Sequence, residues 1–128
     1  MKPCAPSDRR AAGARGEAVA REALRARGYA IEAANVRVPG GELDLVAWDG
    51  PVLCFIEIRS TSSADWGGPL ETVRDGKQRR IIRAAQWYLA RLPELPEQIR
   101  FDVVAITWDA APPRLELIPG AFTADGAQ

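Results

Sequence analysis

The 128-residue sequence contains no histidine, and this absence removes several kinds of catalytic site. Serine–histidine–aspartate and cysteine–histidine hydrolases need an imidazole, and so do zinc sites with histidine ligands. Only two cysteines are present, Cys4 in a polar N-terminal stretch and Cys54 inside an apolar one, so the chain has neither a disulfide framework nor a CxxC motif. We expect Cys54 to be a small core residue.

Lysines and long apolar runs are also scarce. The 17 basic residues comprise two lysines, Lys2 and Lys77, and 15 arginines; 17 acidic residues balance them, so the net charge is zero. A nucleic-acid function must therefore rest on a local basic patch. No apolar run approaches the ~20 residues of a membrane-spanning helix, and the N-terminus has no apolar stretch of the signal-peptide type. We expect a cytoplasmic protein with no membrane partner.

The composition that remains is ordinary for a globular domain, with 47% hydrophobic and 27% charged residues. A chain of this length buries roughly two-thirds of its unfolded surface and needs no disulfide or zinc to fold. We predict flexible tails at residues 1–12 and 123–128 around a single domain at 13–122.

Apolar periodicity and turn residues predict two helices and five strands in this domain. Their order, αβββαββ, indicates an α/β fold in which helices flank a mixed β-sheet. A loop rich in serine and glycine is predicted at residues 60–71. The predicted helices span 13–27 and, from Thr72 or Asp75, the stretch before Pro93; the predicted strands span 29–36, 42–48, 52–59, 100–108 and 114–118.

Two neighbouring strands carry carboxylates among apolar residues. Residues 41–48 read GELDLVAW and residues 53–60 read LCFIEIRS, and the side chains of a strand alternate between its faces. A two-residue loop at Asp49-Gly50 would make Asp44 and Glu57 diagonal neighbours, roughly 7–8 Å apart. A three-residue loop would reverse this parity. With the shorter loop one face carries four charged side chains: Glu42, Asp44, Glu57 and Arg59.

Like charges at this spacing repel unless a positive group lies between them. Two interpretations remain open. Either the acids are solvated on an exposed face, or they bind a hard divalent cation, since Mg²⁺ is usually held by one or two carboxylates and several waters. Apolar residues on the same face argue against complete exposure: Val46, Trp48, Leu53 and Phe55.

Several blocks of the chain resemble the YraN-like bacterial proteins. The blocks follow the same order over about residues 13–122: RGEAVAREALRARGY, GGELDLVAWDG, LCFIEIRS, GGPLETVRDGKQRRIIRAAQWYL, RFDVVAI and LELIPGAF. Those proteins are similar to the PD-(D/E)xK nuclease superfamily, which has the restriction-endonuclease-like fold, and to archaeal Holliday-junction resolvases. The resemblance implies that fold and a DNA endonuclease that hydrolyses phosphodiester bonds with Mg²⁺ or Mn²⁺, on branched or damaged DNA.

The resemblance also implies roles for individual acids. Asp44 matches the motif aspartate and Glu57 matches the acid of the (D/E)xK half-motif, so both are expected metal ligands. Glu17 matches a helix glutamate that can complete the metal site, although it is also spaced to pair with Arg21 at i+4. Glu42 precedes the motif aspartate in the family and is expected close to the metal ligands.

Arg59 stands where the motif has lysine. Arginine keeps the positive charge and holds phosphate through two parallel hydrogen bonds, but it does not release its proton at a useful pH. Arg59 therefore either contacts the phosphate or forms a structural ion pair with Glu42 or Glu57. Lys77 matches a family lysine on the second helix, and it either contacts the phosphate or extends to solvent from the edge of the apolar stripe.

The predicted nucleic-acid contacts are basic residues of the second helix and one aromatic residue: Arg74, Lys77, Arg79, Arg80, Arg83 and Trp66. Charge runs on helices are often only solvated faces, and Trp66 either stacks on a base or caps the core. Three hypotheses follow: a metal-dependent DNA endonuclease, a nucleic-acid-binding module that has lost turnover through Arg59, and a protein-interaction domain. The likeness to resolvases adds the expectation of a homodimer.

Overall fold

A computed structural model describes residues 5–61 and 75–124, with side chains from Arg15 onward in the first range and from Gly76 onward in the second. The predicted order αβββαββ and the α/β class are confirmed. Four of the five strands begin and end within two residues of their predicted bounds. The elements are α1 (Ala5–Ala26), β1 (Ala30–Val38), β2 (Gly41–Asp49), β3 (Val52–Thr61), α2 (Asp75–Leu89), β4 (Gln98–Thr107) and β5 (Arg114–Phe122).

The strands in the described part of the chain form one five-stranded sheet in the order β1-β2-β3-β4-β5. Neighbouring strands are antiparallel except β3 and β4, which are parallel. A parallel pair needs a crossover connection, and α2 lies in the connection between these two strands. The helix that carries Lys77 is thereby tied to the strand that carries Glu57.

The two helices pack on opposite faces of the sheet. The α1-side core holds alternate residues of the central strands, including the expected Cys54, together with helix residues: Ala20, Leu24, Leu45, Cys54, Ile56 and Val104. The α2-side core holds residues of the opposite parity: Val46, Phe55, Phe101, Val103, Ile81 and Ala84. Because both faces of the central strands are covered, a charged side chain among them needs a partner.

Helix α1 begins at Ala5 rather than at the predicted Gly13, so most of the predicted N-terminal tail is helical. Pro6 is tolerated in the first turn of a helix, and the arginines and alanines at 9–12 favour helix. Gly28 follows the helix as predicted, and its φ of 91° is one that residues with a side chain rarely adopt. No helix in the described ranges combines the length and the apolar character needed to cross a bilayer.

Strand β5 continues past its predicted end to Phe122. Proline has no N–H for a sheet ladder and often ends a strand, but Pro119 lies where the register with β4 shifts, between Phe101 and Val103. Gly120 adopts a φ of 63° in this irregular stretch. The bulge accommodates the proline, and pairing resumes beyond it.

A buried aspartate that the sequence analysis did not single out joins several elements. Asp102 in β4 is 0% exposed. Its carboxylate accepts two hydrogen bonds from Arg100, each 2.9 Å long, and one of 2.9 Å from the N–H of Gly120. Arg100 also donates to the Tyr29 hydroxyl at 2.8 Å and forms an ion pair with Asp49 at 3.0 Å. The buried charge is therefore fully partnered, which is the condition for its stability.

Candidate functional site

The loop between β2 and β3 contains two residues, but not the two that were predicted. Asp49 pairs with Val52, so the loop is Gly50-Pro51, and the predicted Asp49-Gly50 loop is wrong by one residue. The predicted register would have set Pro51 opposite Trp48, where a proline cannot donate to the ladder. Gly50 has a φ of 59°, as the first position of a type II′ turn requires.

The register moves by two residues and therefore keeps the predicted parity of the side chains. Continuing it places Asp44 directly opposite Glu57 instead of diagonal to it. The ladder between β2 and β3 ends at Leu45 and Ile56. Just beyond it, Oδ2 of Asp44 accepts a hydrogen bond of 2.9 Å from the N–H of Ile58. This hydrogen bond holds the Asp44 carboxylate against β3, beside Glu57.

Burial and the neighbouring charge raise the pKa of Asp44 to about 7. Loss of solvation is the larger cause and the negative charge of Glu57 is the next, while the hydrogen bond from Ile58 acts in the opposite direction. Glu57 is 6% exposed, and Nζ of Lys77 lies 2.8 Å from its Oε2. One ammonium group therefore accompanies two adjacent carboxyl groups.

Arg59 lies near the same carboxylate without binding it closely. Its Nη1 is 3.8 Å from Oε2 of Glu57, which is outside the hydrogen-bond range. Its Nε is buried and has no hydrogen-bond partner in the described residues. No ion pair joins Arg59 to Glu42 within those residues, and Glu42 is exposed. Lys77 is thus the basic residue in close contact with Glu57. The structural ion pair predicted for Arg59 is present only as a loose contact with Glu57.

Glu17 is bound to other residues of α1 and β1 instead of lying with the acid pair. Its Oε2 accepts from Nη1 of Arg21 at 2.7 Å, which is the predicted i+4 pair, and its Oε1 accepts from Nδ2 of Asn35 at 2.6 Å. The hydrogen bond from Asn35 is the main reason that the pKa of Glu17 is lowered. In the described ranges no three acidic, cysteine or histidine side chains are grouped to hold a metal ion. Glu17 as a metal ligand stays a prediction.

The acid pair itself fits a hard cation. Asp44 and Glu57 offer carboxylate oxygens on neighbouring strands, and Mg²⁺ is usually held by one or two carboxylates while it keeps several waters. After the loss of solvation, the negative charge of Glu57 is the next cause that raises the pKa of Asp44, and a cation between the two carboxyl groups would oppose it. The donor set is therefore suited to Mg²⁺ or Mn²⁺, the cations that the family resemblance implies.

The predicted nucleic-acid contacts fall partly outside the described residues, where Arg74 and Trp66 lie. The arginines of α2 that are described, Arg79, Arg80 and Arg83, are exposed. They are free of the packing that buries the opposite side of α2, so they can contact a polyanion.

One of these arginines extends towards the N-terminal end of α2. A Cβ added to Gly76 would lie 4.0 Å from Nη1 of Arg80, so the Arg80 side chain runs back along α2 towards its N-terminus. Lys77 is in the same first turn. The basic surface of the helix therefore reaches the end at which α2 meets Glu57.

Asn35 belongs to the surroundings of the site and was not identified from the sequence. Its φ of 53° makes it the one non-glycine residue with positive φ in the described ranges. Asparagine is several-fold enriched in this conformation. An asparagine inside a stretch of small apolar residues, AANV, was the signal available in the sequence.

Comparisons with known proteins agree over most of the chain. The model of the uncharacterised protein family UPF0102 matches residues 16–106. A UPF0102 protein of Anaeromyxobacter sp. (strain Fw109-5) is 44% identical over 119 residues, which cover 93% of this chain and 90% of that protein. A UPF0102 protein of Symbiobacterium thermophilum is 46% identical over 118 residues, with 90% and 98% covered. One of Anaeromyxobacter dehalogenans is 47% identical over 118 residues, with 92% and 88% covered.

Proposed function

The chain belongs to the uncharacterised protein family UPF0102, and we propose that it is a DNA-binding endonuclease of the PD-(D/E)xK type that uses Mg²⁺ or Mn²⁺. The family that the sequence blocks resemble is confirmed by the match over residues 16–106 and by the relatives. One observation carries the proposed activity. Asp44 and Glu57 lie side by side on neighbouring strands, and an ammonium group lies 2.8 Å from Glu57.

In this proposal Asp44 and Glu57 hold the cation through their carboxylate oxygens. The bound cation supplies Lewis-acid polarisation of the phosphate and a more acidic water. The hydrogen bond from Ile58 orients Asp44 before any ligand arrives. Such preorganisation lowers the cost of binding, because the carboxylate loses little freedom when the cation binds.

Lys77 performs the part that the motif lysine has in the resemblance. The motif lysine would stand in β3, at the position of Arg59, whereas Lys77 lies in α2. The ammonium group of Lys77 nevertheless contacts the motif glutamate, Glu57, directly. An ammonium group can exchange its proton and shift its pKa, whereas a guanidinium group stays charged. We therefore assign the contact with the reacting phosphate to Lys77, and Arg59 is not needed for proton transfer.

Arg59 and the arginines of α2 contact the phosphates of the DNA backbone in this proposal. The Nη1 of Arg59 is only loosely paired and 30% of the side chain is exposed, so the guanidinium group can donate to a phosphate. Exposed arginines at 79, 80 and 83 extend this surface along the helix. Contacts of this kind give affinity without sequence specificity.

The proposal includes three further expectations. The substrate is branched or damaged DNA, as the likeness to resolvases implies. The protein acts as a homodimer, because a four-way junction has two-fold symmetry that a dimer can match. It works in the cytoplasm, where bacterial DNA is accessible.

Cleavage of labelled DNA tests the proposal directly. Single-stranded, duplex and four-way-junction substrates are incubated with the protein and with Mg²⁺, Mn²⁺ or EDTA. We expect metal-dependent products, with the junction cut fastest. Asp44→Asn is the matched control, since it keeps the size and the hydrogen-bond acceptor but removes the charge.

Measurements of junction binding and of Mn²⁺ binding, made beside the cleavage assay, separate the two other hypotheses. Junction binding without cleavage by either the natural protein or Arg59→Lys would refute the nuclease and leave a binding module that has lost turnover. Absence of both DNA binding and Mn²⁺ binding would refute the proposal as a whole and leave the protein-interaction domain.

A further inference from the structure

Strands β1 and β2 interrupt their side-chain alternation at a shared position. In β2, Leu45 belongs to the α1-side core and Leu43 to the α2-side core, although residues two apart share a face in a regular strand. In β1, Ala34 packs against the α1-side core and Val36 against the α2-side core. Both strands therefore change parity between these residues.

The two residues at the change of parity are Asn35 and Asp44. The register of β1 and β2 sets them opposite each other, between the pairs formed on either side. Asn35 takes the left-handed conformation, with a φ of 53°. A residue in this conformation turns the chain out of the regular pleat, which is how the flanking apolar residues come to lie on the other face.

The change of parity falls directly beside Asp44. Counted from Leu45 and Val46, Asp44 lies on the α2 side in regular alternation, and the interruption comes after it, where Leu43 is also buried under α2. The ladder between β2 and β3 ends at Leu45 and Ile56, so β1 is the neighbouring strand that supports the backbone of β2 at Asp44. The irregular position in β1 therefore lies opposite the residue that reaches across to Ile58.

The side chain of Asn35 is anchored at this position by α1. Its Nδ2 donates to Oε1 of Glu17 at 2.6 Å, and the other oxygen of Glu17 accepts from Arg21 at 2.7 Å. Asn35 is exposed, so the core does not hold it in place. The hydrogen bond to Glu17 is its one side-chain contact of this kind among the described residues.

We propose that Asn35 and Glu17 are positioning residues, which hold β1 in its irregular shape and thereby hold Asp44 against β3. Glu17 then serves the acid pair through Asn35 and not as a third metal ligand. The inference rests on the proposed function only where it concerns metal affinity. Its structural part concerns the metal-free protein and can be tested alone.

The structural part is tested by amide hydrogen exchange of Ile58, measured by NMR without metal. The variants are Glu17→Ala, which removes the acceptor, Glu17→Gln, which keeps it, and Asn35→Gly, which keeps the positive φ but removes the amide. We expect Glu17→Ala and Asn35→Gly to speed the exchange of Ile58 by about two- to tenfold, the range of one ordinary hydrogen bond. Glu17→Gln should stay near the natural rate. Glu22→Ala, at an exposed glutamate of the same helix, is the control.

Calorimetric titration with Mn²⁺ tests the second part with the same variants. If Glu17 is a positioning residue, Glu17→Ala should weaken Mn²⁺ binding by about two- to tenfold. Glu17→Gln should keep the natural affinity, because the amide oxygen of glutamine still accepts from Asn35. A ligand role predicts that Glu17→Gln weakens binding as much as Glu17→Ala and that Ile58 exchange is unchanged in both. That second pattern would overturn the inference.

The two readouts separate this inference from the proposed function. If the natural protein does not bind Mn²⁺, the proposed function fails, but the exchange rates of Ile58 still decide whether Asn35 and Glu17 position Asp44. If Mn²⁺ binds and Ile58 exchange is insensitive to both Glu17→Ala and Asn35→Gly, the positioning role is refuted and the nuclease proposal stands.

Discussion

Lys77 lies closer to the buried Glu57 carboxylate than Arg59 does, although Arg59 is only two residues from Glu57 in the same strand. The Lys77 ammonium is 2.8 Å from Oε2 of Glu57, and the Arg59 guanidinium is 3.8 Å from the same oxygen. The positively charged side chain nearest to Glu57 therefore comes from α2, which follows the motif in the chain, and not from the motif itself.

Replacement of Lys77 should reduce cleavage more than replacement of Arg59. We expect Lys77→Ala to lower the rate about 10²- to 10⁴-fold, the usual contribution of a positioned proton-transfer group. Lys77→Arg should recover charge but not proton exchange, and Arg59→Lys should change the rate by less than about tenfold. Single-turnover cleavage of a junction measures these three variants and Arg59→Ala. An equal loss in Lys77→Ala and Arg59→Ala would contradict the assignment.

Asp44→Asn should abolish Mn²⁺ binding and still stabilise the metal-free protein at pH 7.5. The substitution removes a half-buried negative charge beside the buried carboxylate of Glu57, and the amide oxygen can still accept from Ile58. Calorimetry reports the metal affinity and thermal unfolding reports the stability. Glu42→Gln, at an exposed acid of the same strand, should change neither measurement. A lower melting temperature for Asp44→Asn would mean that the pair is already compensated.

The contribution of Asp44 to the stability of the metal-free protein should fall as the pH rises from about 4 to about 7. The pKa of Asp44 is raised from 3.8 to about 7 in the folded protein, so the folded state keeps a proton that the unfolded state loses in this window. The contribution of Asp44 is full below pH 4 and is lost as the pH passes its folded pKa. Urea unfolding at several pH values should show this trend in the difference between the natural protein and Asp44→Asn. A difference that does not vary with pH would exclude it.

DNA binding should weaken steeply with salt, and the exposed arginines of α2 should account for part of the slope. Each phosphate contact contributes about one to the slope of log K against log salt. Changing Arg79 and Arg83 to glutamine should therefore lower the slope by up to about two. Arg25→Gln on α1 is the control for a change of net charge. Binding that does not respond to salt would argue against backbone contacts.

Asp102→Ala should destabilise the fold by about 3–5 kcal/mol, because it leaves Arg100 partly buried without its main partner. Asp109→Ala, which breaks an exposed pair with Arg114, should have little effect. The free energy of unfolding in urea measures both. A small loss in Asp102→Ala would show that Asp49 or water replaces the missing carboxylate.

Local patterns in the sequence were enough to predict the order of the elements and the shared face of Asp44 and Glu57. Strand alternation and the short Gly-containing turn carry this information, and a shift of the turn by one residue does not change parity. The exact register needed one more consideration, namely that Pro51 cannot take a place in the ladder.

Contacts between distant elements were not predictable in the same way. The ion pair of Lys77 with Glu57 depends on how α2 crosses the sheet, and both a phosphate contact and a solvent-exposed lysine agreed with the sequence. Spacing paired Glu17 with Arg21 and the family resemblance made it a metal ligand, and only the fold places Asn35 beside it. The hydrogen bond from Gly120 to Asp102 lies at the bulge in β5, and this bulge was not predicted because Pro119 indicated the end of the strand.

The crossover that brings Lys77 to the acids also has a kinetic consequence. Asp44 and Glu57 belong to one hairpin with a two-residue loop, and hairpins form in about 1–10 μs. The parallel pairing of β3 with β4 must first close the whole connection through α2, which is slower. The acid pair can thus form before the ammonium group of Lys77 reaches it, so Lys77→Ala should raise the rate of unfolding more than it lowers the rate of refolding.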